Sequence, residues 1–266
     1  METITSRENP VIKELAGLLT QKKLRDRTGL FALEGVRLCV DTAQSGVRVR
    51  TLLLTPQARG QYPECETLEK FAKKTLLIEN GLAQRISDTK TPQGVFCICE
   101  KLDNQKSAVT MKRSGKYLVL ADLQDPRNFG AILRTAQALG VDGVFACCCP
   151  DLYSPKMLRS AMGGQFRLPL EVHSDAAAAV ARLRQTGVPV YAAALDNTAQ
   201  MLGSVDLSGG CAMLIGNEGN GLSRELIAAC SGNVIIPMRC DANSLNAASA
   251  AAILLWEMCK DTAADT

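Results

Sequence analysis

Apolar and polar positions in the first hundred residues alternate between helical and strand spacing. Leu15 and Leu18 recur at helical intervals after Pro10, which suits a first helical turn, so a helix is predicted over 10–23. The same periodicities predict further helices over 34–46, 65–74 and 80–89 and strands over 49–55, 75–79 and 94–100. Alternating strands and helices predict a small layered α/β domain over residues 1–106.

A second α/β series follows a polar stretch that lacks periodicity. Its last part, residues 107–116, is interpreted as a linker, and the second domain is expected over 117–266. Strands are predicted over 117–123, 143–148, 188–194, 211–215 and 233–237, and helices over 128–139, 155–162, 175–186, 222–230 and 244–259. Because these strands are almost continuously apolar, they predict a parallel sheet covered on both faces.

Composition limits the protein class. The 266 residues are 47% hydrophobic and 21% charged, which is typical of a soluble globular protein. Neither a secretory signal nor an apolar run of about 18 residues is found, so no membrane span and a cytoplasmic location are expected. The eleven cysteines form no paired CxxC motifs, and His173 is the single histidine, so metal binding is not expected.

Positive charge is concentrated in the first half. Residues 1–106 hold 17 Lys and Arg against 13 Asp and Glu, although the whole chain carries only +3. This asymmetry favours a polyanionic partner such as RNA, but a solvated helix face rich in lysine has the same composition. The candidate RNA contacts of the first domain are Arg7, Asn9, Lys13, Lys22, Lys23 and Arg25.

Three polar loops, each following a predicted strand, are candidates for chemistry. The first holds Asn128 and leads into a helix with Arg134, and the second is the glycine-rich loop that begins at Gly216. The third follows the strand VIIPM and ends in Ser244, Leu245 and Asn246. Parallel sheets bind ligands at the carboxyl ends of their strands, where these loops lie. Taken singly, each loop also fits an ordinary turn or helix cap.

Taken together, the segments NFGAILRTA, LIGNEG and IPM with SLN resemble the three ordered motifs of the SpoU family of ribose methyltransferases. This family belongs to the SPOUT class. The resemblance covers about 117–259 and includes SPKMLRSAMGGQFRLP, and ITSRENPVIKEL with GLFALEGVRL resembles the substrate-binding domain of some members. One departure is Ala247, Ala248 and Ser249, where the family has an aliphatic-Ser-aliphatic run.

The resemblance implies an RNA 2′-O-ribose methyltransferase that uses S-adenosyl-L-methionine, with ribosomal RNA favoured over transfer RNA. It also implies a C-terminal trefoil knot and a homodimer whose active site is completed across two subunits. The implied cofactor-binding residues are Gly216, Ile236, Leu245, Leu195 and Met238. The implied catalytic residues are Arg134, Asn128, Ser244, Asn246 and Glu218.

Several alternatives stay open. Arg134 acts either as a general base or by gripping a phosphate, and the second is favoured because a guanidinium keeps its proton. Glu218 steadies the glycine loop or a partner subunit, or is an inert surface carboxylate. A non-catalytic RNA-binding protein with this fold remains an alternative. A nicotinamide-dependent oxidoreductase is disfavoured because the glycine spacing departs from the G-x-G-x-x-G fingerprint.

Overall fold

A computed structural model describes residues 3–102, 109–194, 198–239 and 245–263. The chain forms two compact units, one of Met1–Leu102 with Asp151–Phe166 and the other of Asp103–Pro150 with Arg167–Thr266. The first unit therefore includes a segment from the half of the sequence that was assigned to the second domain.

The structure gives the following bounds for the helices and strands. Up to residue 102 they are β1 (Thr3–Ile4), α1 (Pro10–Thr20), α2 (Lys22–Thr28), β2 (Leu30–Glu34), α3 (Val36–Gln44), β3 (Val49–Leu54), α4 (Pro56–Gln61), α5 (Glu64–Phe71), β4 (Ala72–Ile78), α6 (Asn80–Ile86) and β5 (Val95–Glu100). From residue 109 they are β6 (Lys116–Ala121), α7 (Pro126–Ala138), β7 (Gly143–Cys147), α8 (Pro155–Ala161), β8 (Leu170–His173), α9 (Ala176–Gln185), β9 (Val190–Ala193), β10 (Gln200–Met201), β11 (Cys211–Ile215), α10 (Arg224–Ala228), β12 (Gly232–Ile235) and α11 (Ala247–Ala263).

The first unit is built on a mixed five-stranded sheet in the order β1-β4-β3-β5-β2. Strand β5 runs antiparallel to β2 and β3, while β4 is parallel to β1 and β3. Successive strand residues point to opposite faces, so Leu52 and Leu54 join one hydrophobic cluster and Leu53 joins the other. Helix α8, from the segment after residue 150, packs against β2 of this sheet.

Arg25, a predicted RNA contact, is buried inside the first unit. Its side chain is only 5% exposed, and its guanidinium forms an ion pair with Asp151, with 2.7 Å between Nη2 and Oδ2. Nη1 also donates to the carbonyl of Leu18 at 2.6 Å. Separating a buried charge from these partners would be energetically costly, so Arg25 is not available to an RNA phosphate.

The second unit contains a seven-stranded sheet in the order β10-β12-β9-β11-β6-β7-β8. Every strand pairing described in this sheet is parallel, which confirms the predicted parallel α/β architecture. Helix α11 packs against α7 and β11. The departure from the family pattern after Asn246 does not interrupt this helix, which starts at Ala247.

The observed bounds differ from the predicted ones at a few places. The helix predicted over 10–23 is two helices that meet at Gln21, and the helix predicted over 65–74 ends at Phe71 because β4 starts at the next residue. Strands β1, β2, β8 and β10 and helix α4 were not predicted. In the described part of the chain, no helix is long and apolar enough to span a membrane.

Candidate functional site

A cavity of about 500 Å³ opens at the carboxyl ends of three neighbouring strands of the second unit, β12, β9 and β11. Side chains that follow these strands meet there because all three strands point the same way. The lining residues are Ala193, Ala194, Ile215, Gly216, Asn217, Glu218, Gly219, Asn220, Gly221, Leu222, Ile227, Val234, Ile235, Ile236, Met238, Leu245, Ala247, Ala250 and Leu254. Glu218 is the single charged side chain among them, and most of the wall is apolar.

The glycine-rich loop after β11 is closed by Asn217. The backbones of Asn217 and Gly221 exchange two hydrogen bonds, at 3.2 and 3.0 Å, and Asn217 Oδ1 accepts from the backbone N–H of Gly219 at 2.8 Å. Asn217 Nδ2 donates to the carbonyl of Asp122 at 2.8 Å, which ties the loop to the segment after β6. A side chain at Gly216 would lie 2.7 Å from the Gly221 carbonyl, so this approach requires glycine.

A chain of hydrogen bonds connects the three predicted loops beside the cavity. Asn246 Nδ2 donates to Asn128 Oδ1 at 3.0 Å, and Asn128 Nδ2 donates to Glu218 Oε1 at 3.0 Å. The directions are fixed because Asn246 Oδ1 already accepts from the backbone N–H of Ala248 at 2.9 Å. We call Asn246, Asn128 and Glu218 the polar chain.

Glu218 anchors the end of the polar chain. Its Oε2 accepts from the backbone N–H of Gln124 at 2.9 Å, and its Oε1 also accepts from that of Asp125 at 3.3 Å. Partial burial opposes ionisation, but the Asn128 amide and these two N–H groups outweigh it and lower the pKa of Glu218 below its ordinary value. The carboxylate is therefore a fixed negative charge at the wall of the cavity.

The helix caps explain why Asn128 and Asn246 can bond to each other. Asp125 caps α7 by accepting from the N–H of Arg127 at 2.8 Å, which leaves the Asn128 side chain free to reach across. The N-cap expected at Ser244 lies outside the described residues, and Asn246 caps α11 instead.

The predicted cofactor-binding and catalytic residues fall into three groups. Gly216, Ile236, Leu245 and Met238 line the cavity. Glu218 lines it as well, with Asn128 and Asn246 beside it, while Leu195 and Ser244 lie outside the described residues.

Arg134 does not line the cavity. It lies on α7 with an exposed side chain, and this side chain forms no hydrogen bond or ion pair with any described residue. Its guanidinium is therefore available to a ligand that approaches from outside.

The predicted RNA contacts other than Arg25 are on or near the surface of the first unit. Arg7, Lys22 and Lys23 are exposed, and Lys13 forms an ion pair with Glu8. Asn9 Oδ1 caps α1 by accepting from the N–H of Val11 at 2.9 Å.

Sequence reasoning missed three residues that organise the site: Asn217, Asp122 and Gln124. A usable signal was the asparagine two residues after strand β11 and ahead of Gly219 and Gly221, since such a side chain closes a turn on its own backbone. Asp122 adopts a positive φ of 56°, which the sequence did not reveal. Among the described residues, no group of three His, Cys, Asp or Glu could hold a metal ion.

Comparison with known proteins agrees with this arrangement. The profile of the SpoU rRNA Methylase family matches residues 115–256, and that of the MRM3-like substrate binding domain matches residues 9–97. The first match includes all three loops and every described residue of the cavity wall.

Individual relatives resemble the chain over almost its whole length. The 23S rRNA (guanosine(2553)-2′-O)-methyltransferase RlmP of Bacillus subtilis is 32% identical, covering 97% of this chain and 99% of RlmP. The 23S rRNA (uridine(2479)-2′-O)-methyltransferase of Streptomyces viridochromogenes is 30% identical, covering 96% and 90%. The crystal structure of AdoMet-bound rRNA methyltransferase from Sinorhizobium meliloti superposes with a TM-score of 0.82 at 29% identity over 98% of both chains. This chain belongs to the SpoU rRNA Methylase family.

Proposed function

We propose that this protein is an RNA methyltransferase that transfers a methyl group from S-adenosyl-L-methionine to a ribose 2′-hydroxyl of ribosomal RNA. The polar chain carries the proposal, because it joins the three family loops at one cavity. A scaffold without catalysis has no need for a fixed carboxylate and two oriented amides beside an apolar cavity.

The cavity fits the methyl donor by size and chemistry. Its volume of about 500 Å³ lies within the range of small-molecule sites. The apolar wall suits the adenosine part, and the close approach at Gly216 presents backbone groups to it. Gly216, Ile236, Met238 and Leu245 would hold the donor, with Leu195 proposed beside them. When bound, the donor supplies an activated methyl group.

The work left to the protein is to position the ribose oxygen and let it lose a proton. Arg134 binds the phosphate next to the target ribose in this proposal, because its guanidinium is exposed and free of partners among the described residues. A guanidinium stays protonated at neutral pH, so the hydroxyl proton leaves to water or another group. Asn128, Asn246 and Ser244 orient the ribose and the loops around it.

The test of this role replaces Arg134 with alanine and with lysine. Arg134→Ala should abolish methyl transfer to ribosomal RNA while calorimetry still detects binding of S-adenosyl-L-methionine. Arg134→Lys should recover part of the activity, because lysine keeps the positive charge but loses the bidentate grip. Equal turnover in Arg134→Ala and the parent would remove Arg134 from the mechanism, and no heat of donor binding in the parent would favour the non-catalytic alternative.

Ribosomal RNA is proposed because both named relatives act on 23S rRNA. One of them methylates a guanosine and the other a uridine, so the base at the target is left to experiment. Docking of the RNA is assigned to residues 1–106, with Arg7, Lys22 and Lys23 contacting phosphates, and methyl transfer is assigned to residues 117–266. Mapping of 2′-O-methyl sites in RNA from cells with and without the protein tests the substrate; a lost site in transfer RNA alone would contradict the proposal.

A homodimer is part of the proposal. Ile253 and Trp256 lie one turn apart on α11 and expose 41% and 56% of their surface, although both are large and apolar. Burial of this face against a second copy would remove apolar surface from water. Trp256→Glu should shift the protein to the monomer in analytical ultracentrifugation, whereas Gln185→Glu on the exposed surface of α9 should not. Monomeric parent protein would contradict the homodimer.

We propose two further features. We infer that the segment after β12 is threaded to form a trefoil knot, since residues on both sides of residues 240–244 line the same cavity; an electron-density trace of this segment would test the threading. We also infer a cytoplasmic location, which suits the free thiols of the ten described cysteines. Cell fractionation tests the second inference.

A further inference from the structure

A second, smaller cleft lies in the first unit. It is formed by α4, α6 and the turn before β5, and its volume is about 70 Å³. Five neutral side chains that can form hydrogen bonds line it: Gln57, Gln61, Tyr62, Asn80 and Gln84.

These five side chains differ from the other polar groups of the cleft. Thr55 Oγ1 accepts from the N–H of Ala58 at 3.0 Å, and Gln93 Oε1 accepts from the N–H of Val36 at 2.9 Å, so both are used as helix caps. None of the five has a hydrogen bond to any described residue. Single exposed glutamines are ordinary surface residues, but five unpaired groups that converge on one concavity form a set of donors and acceptors aimed at a ligand.

The chemistry of the lining selects the class of ligand. No charged residue is present among the described residues of the cleft wall, so it lacks the cations that a phosphate needs and the carboxylates that a hard metal ion needs. Glutamine and asparagine each offer a donor and an acceptor side by side, which matches the edge of a nucleobase. The cleft is too small for a whole base, since one water occupies about 30 Å³ of liquid, and so it suits a base edge.

We propose that this cleft binds the hydrogen-bonding edge of an unpaired base of the RNA substrate. The inference rests on the proposed function, because it assumes that the first unit docks RNA. Single-stranded RNA is read in this way by other RNA-binding proteins, through base edges displayed in loops. The exposed lysines Lys22 and Lys23 would supply affinity through phosphates, and the cleft would supply base preference.

The experiment measures binding of full-length protein to labelled U-rich single-stranded RNA oligonucleotides that carry one A, C or G at a central position. The parent should prefer one base. The double variant Gln57→Ala with Gln84→Ala should bind the preferred oligonucleotide about tenfold more weakly and the others almost unchanged. The affinity of this double variant should depend on salt concentration as strongly as that of the parent, because neutral amides release no counterions.

Two controls separate the contributions. Gln44→Ala, an exposed glutamine at the end of α3 outside the cleft, should bind like the parent. Lys22→Ala with Lys23→Ala should weaken all oligonucleotides together and reduce the salt dependence, without changing base preference.

Other results would overturn the cleft proposal. These are a parent without base preference, or a glutamine double variant that keeps the parental preference or weakens all oligonucleotides equally. In each of these cases RNA still binds, so the proposed methyltransferase function is unaffected. A parent that binds no RNA would contradict both proposals, and methyl transfer assayed on ribosomal RNA reports on the function separately.

Discussion

At the residue scale, Gly216 sets the shape of the cavity at the carboxyl ends of β9, β11 and β12. A Cβ there would lie 2.7 Å from the carbonyl oxygen of Gly221 and 2.7 Å from Leu222. The leucine side chain can turn away, but the carbonyl belongs to the backbone that closes the loop through Asn217. The loop can therefore accept a side chain at this position only by opening.

Gly216→Ala should weaken binding of S-adenosyl-L-methionine by about fivefold or more, because overpacking of this kind costs about 1–3 kcal/mol. Isothermal titration calorimetry measures the affinity. The matched control is Gly209→Ala, since a Cβ at Gly209 meets nothing within 4 Å. If both variants bind S-adenosyl-L-methionine equally well, the close approach of Gly216 to the Gly221 carbonyl is not needed for binding.

Glu218 gives the site a pH dependence. Because its folded pKa lies below the ordinary value near 4.5, the ionised carboxylate stabilises the folded state above that pH, and the contribution is lost as pH falls through the folded value. Glu218→Gln should therefore be less stable than the parent at pH 7, and the difference should shrink below a pH of about 4. Urea unfolding of both proteins at each pH measures the difference in their free energies of unfolding. The contributions of the other carboxyl groups cancel in this difference, because both proteins carry them. A difference independent of pH would contradict this role.

At the scale of elements, the polar chain connects the N-termini of two helices with the glycine loop. Asn246 has two functions in it: Oδ1 caps α11, while Nδ2 donates to Asn128 at the start of α7. A cap needs only an acceptor, whereas the connection needs a donor. The two functions can therefore be separated by substitution.

Asn246→Asp should keep the cap and break the connection. Aspartate is as good an N-cap as asparagine, so the free energy of unfolding should change by less than about 0.5 kcal/mol, while Asn246→Ala should lose about 1 kcal/mol. Both variants should lose methyl transfer, because neither can donate to Asn128: Asp places a second acceptor oxygen against Asn128 Oδ1, and Ala has no polar side-chain atom. Full turnover in Asn246→Asp would reduce Asn246 to a helix cap.

The sequence predicted the elements that carry regular signals. Helix α7 and strand β11 follow clear periodicities, and the motif order placed Gly216, Ile236 and Leu245 around one cavity. Strand β2 was missed because it is only five residues long and ends in a charged residue, Glu34; in the structure this buried carboxylate accepts from Thr89 Oγ1 at 2.6 Å and from the N–H of Asp88 at 2.9 Å. Partners about 54 residues away leave no local signal.

At the scale of the whole molecule, the order of the chain does not follow the division into units. The chain leaves the second unit after Pro150, contributes Asp151–Phe166 to the first unit and then returns. Aromatic packing holds the segment there, since Phe31 lies 4.8 Å from Tyr153 and 5.6 Å from Phe166 between ring centroids. Sequence reasoning placed a single boundary near residue 106, because the packing of an inserted segment is decided by contacts with β2 and not by its own pattern.

Two ion pairs attach this segment to the rest of the first unit, and they should differ in strength. Arg25 with Asp151 is buried, at 5% and 12% side-chain exposure, whereas Arg159 with Asp88 is exposed, at 34% and 43%. Asp151→Asn leaves a buried guanidinium without its counter-charge and should lower the free energy of unfolding by about 3 kcal/mol. Asp88→Asn breaks a solvated pair and should cost less than about 1 kcal/mol. Urea unfolding of the full chain at neutral pH measures both, and equal losses would mean that the buried pair does not hold the segment in place.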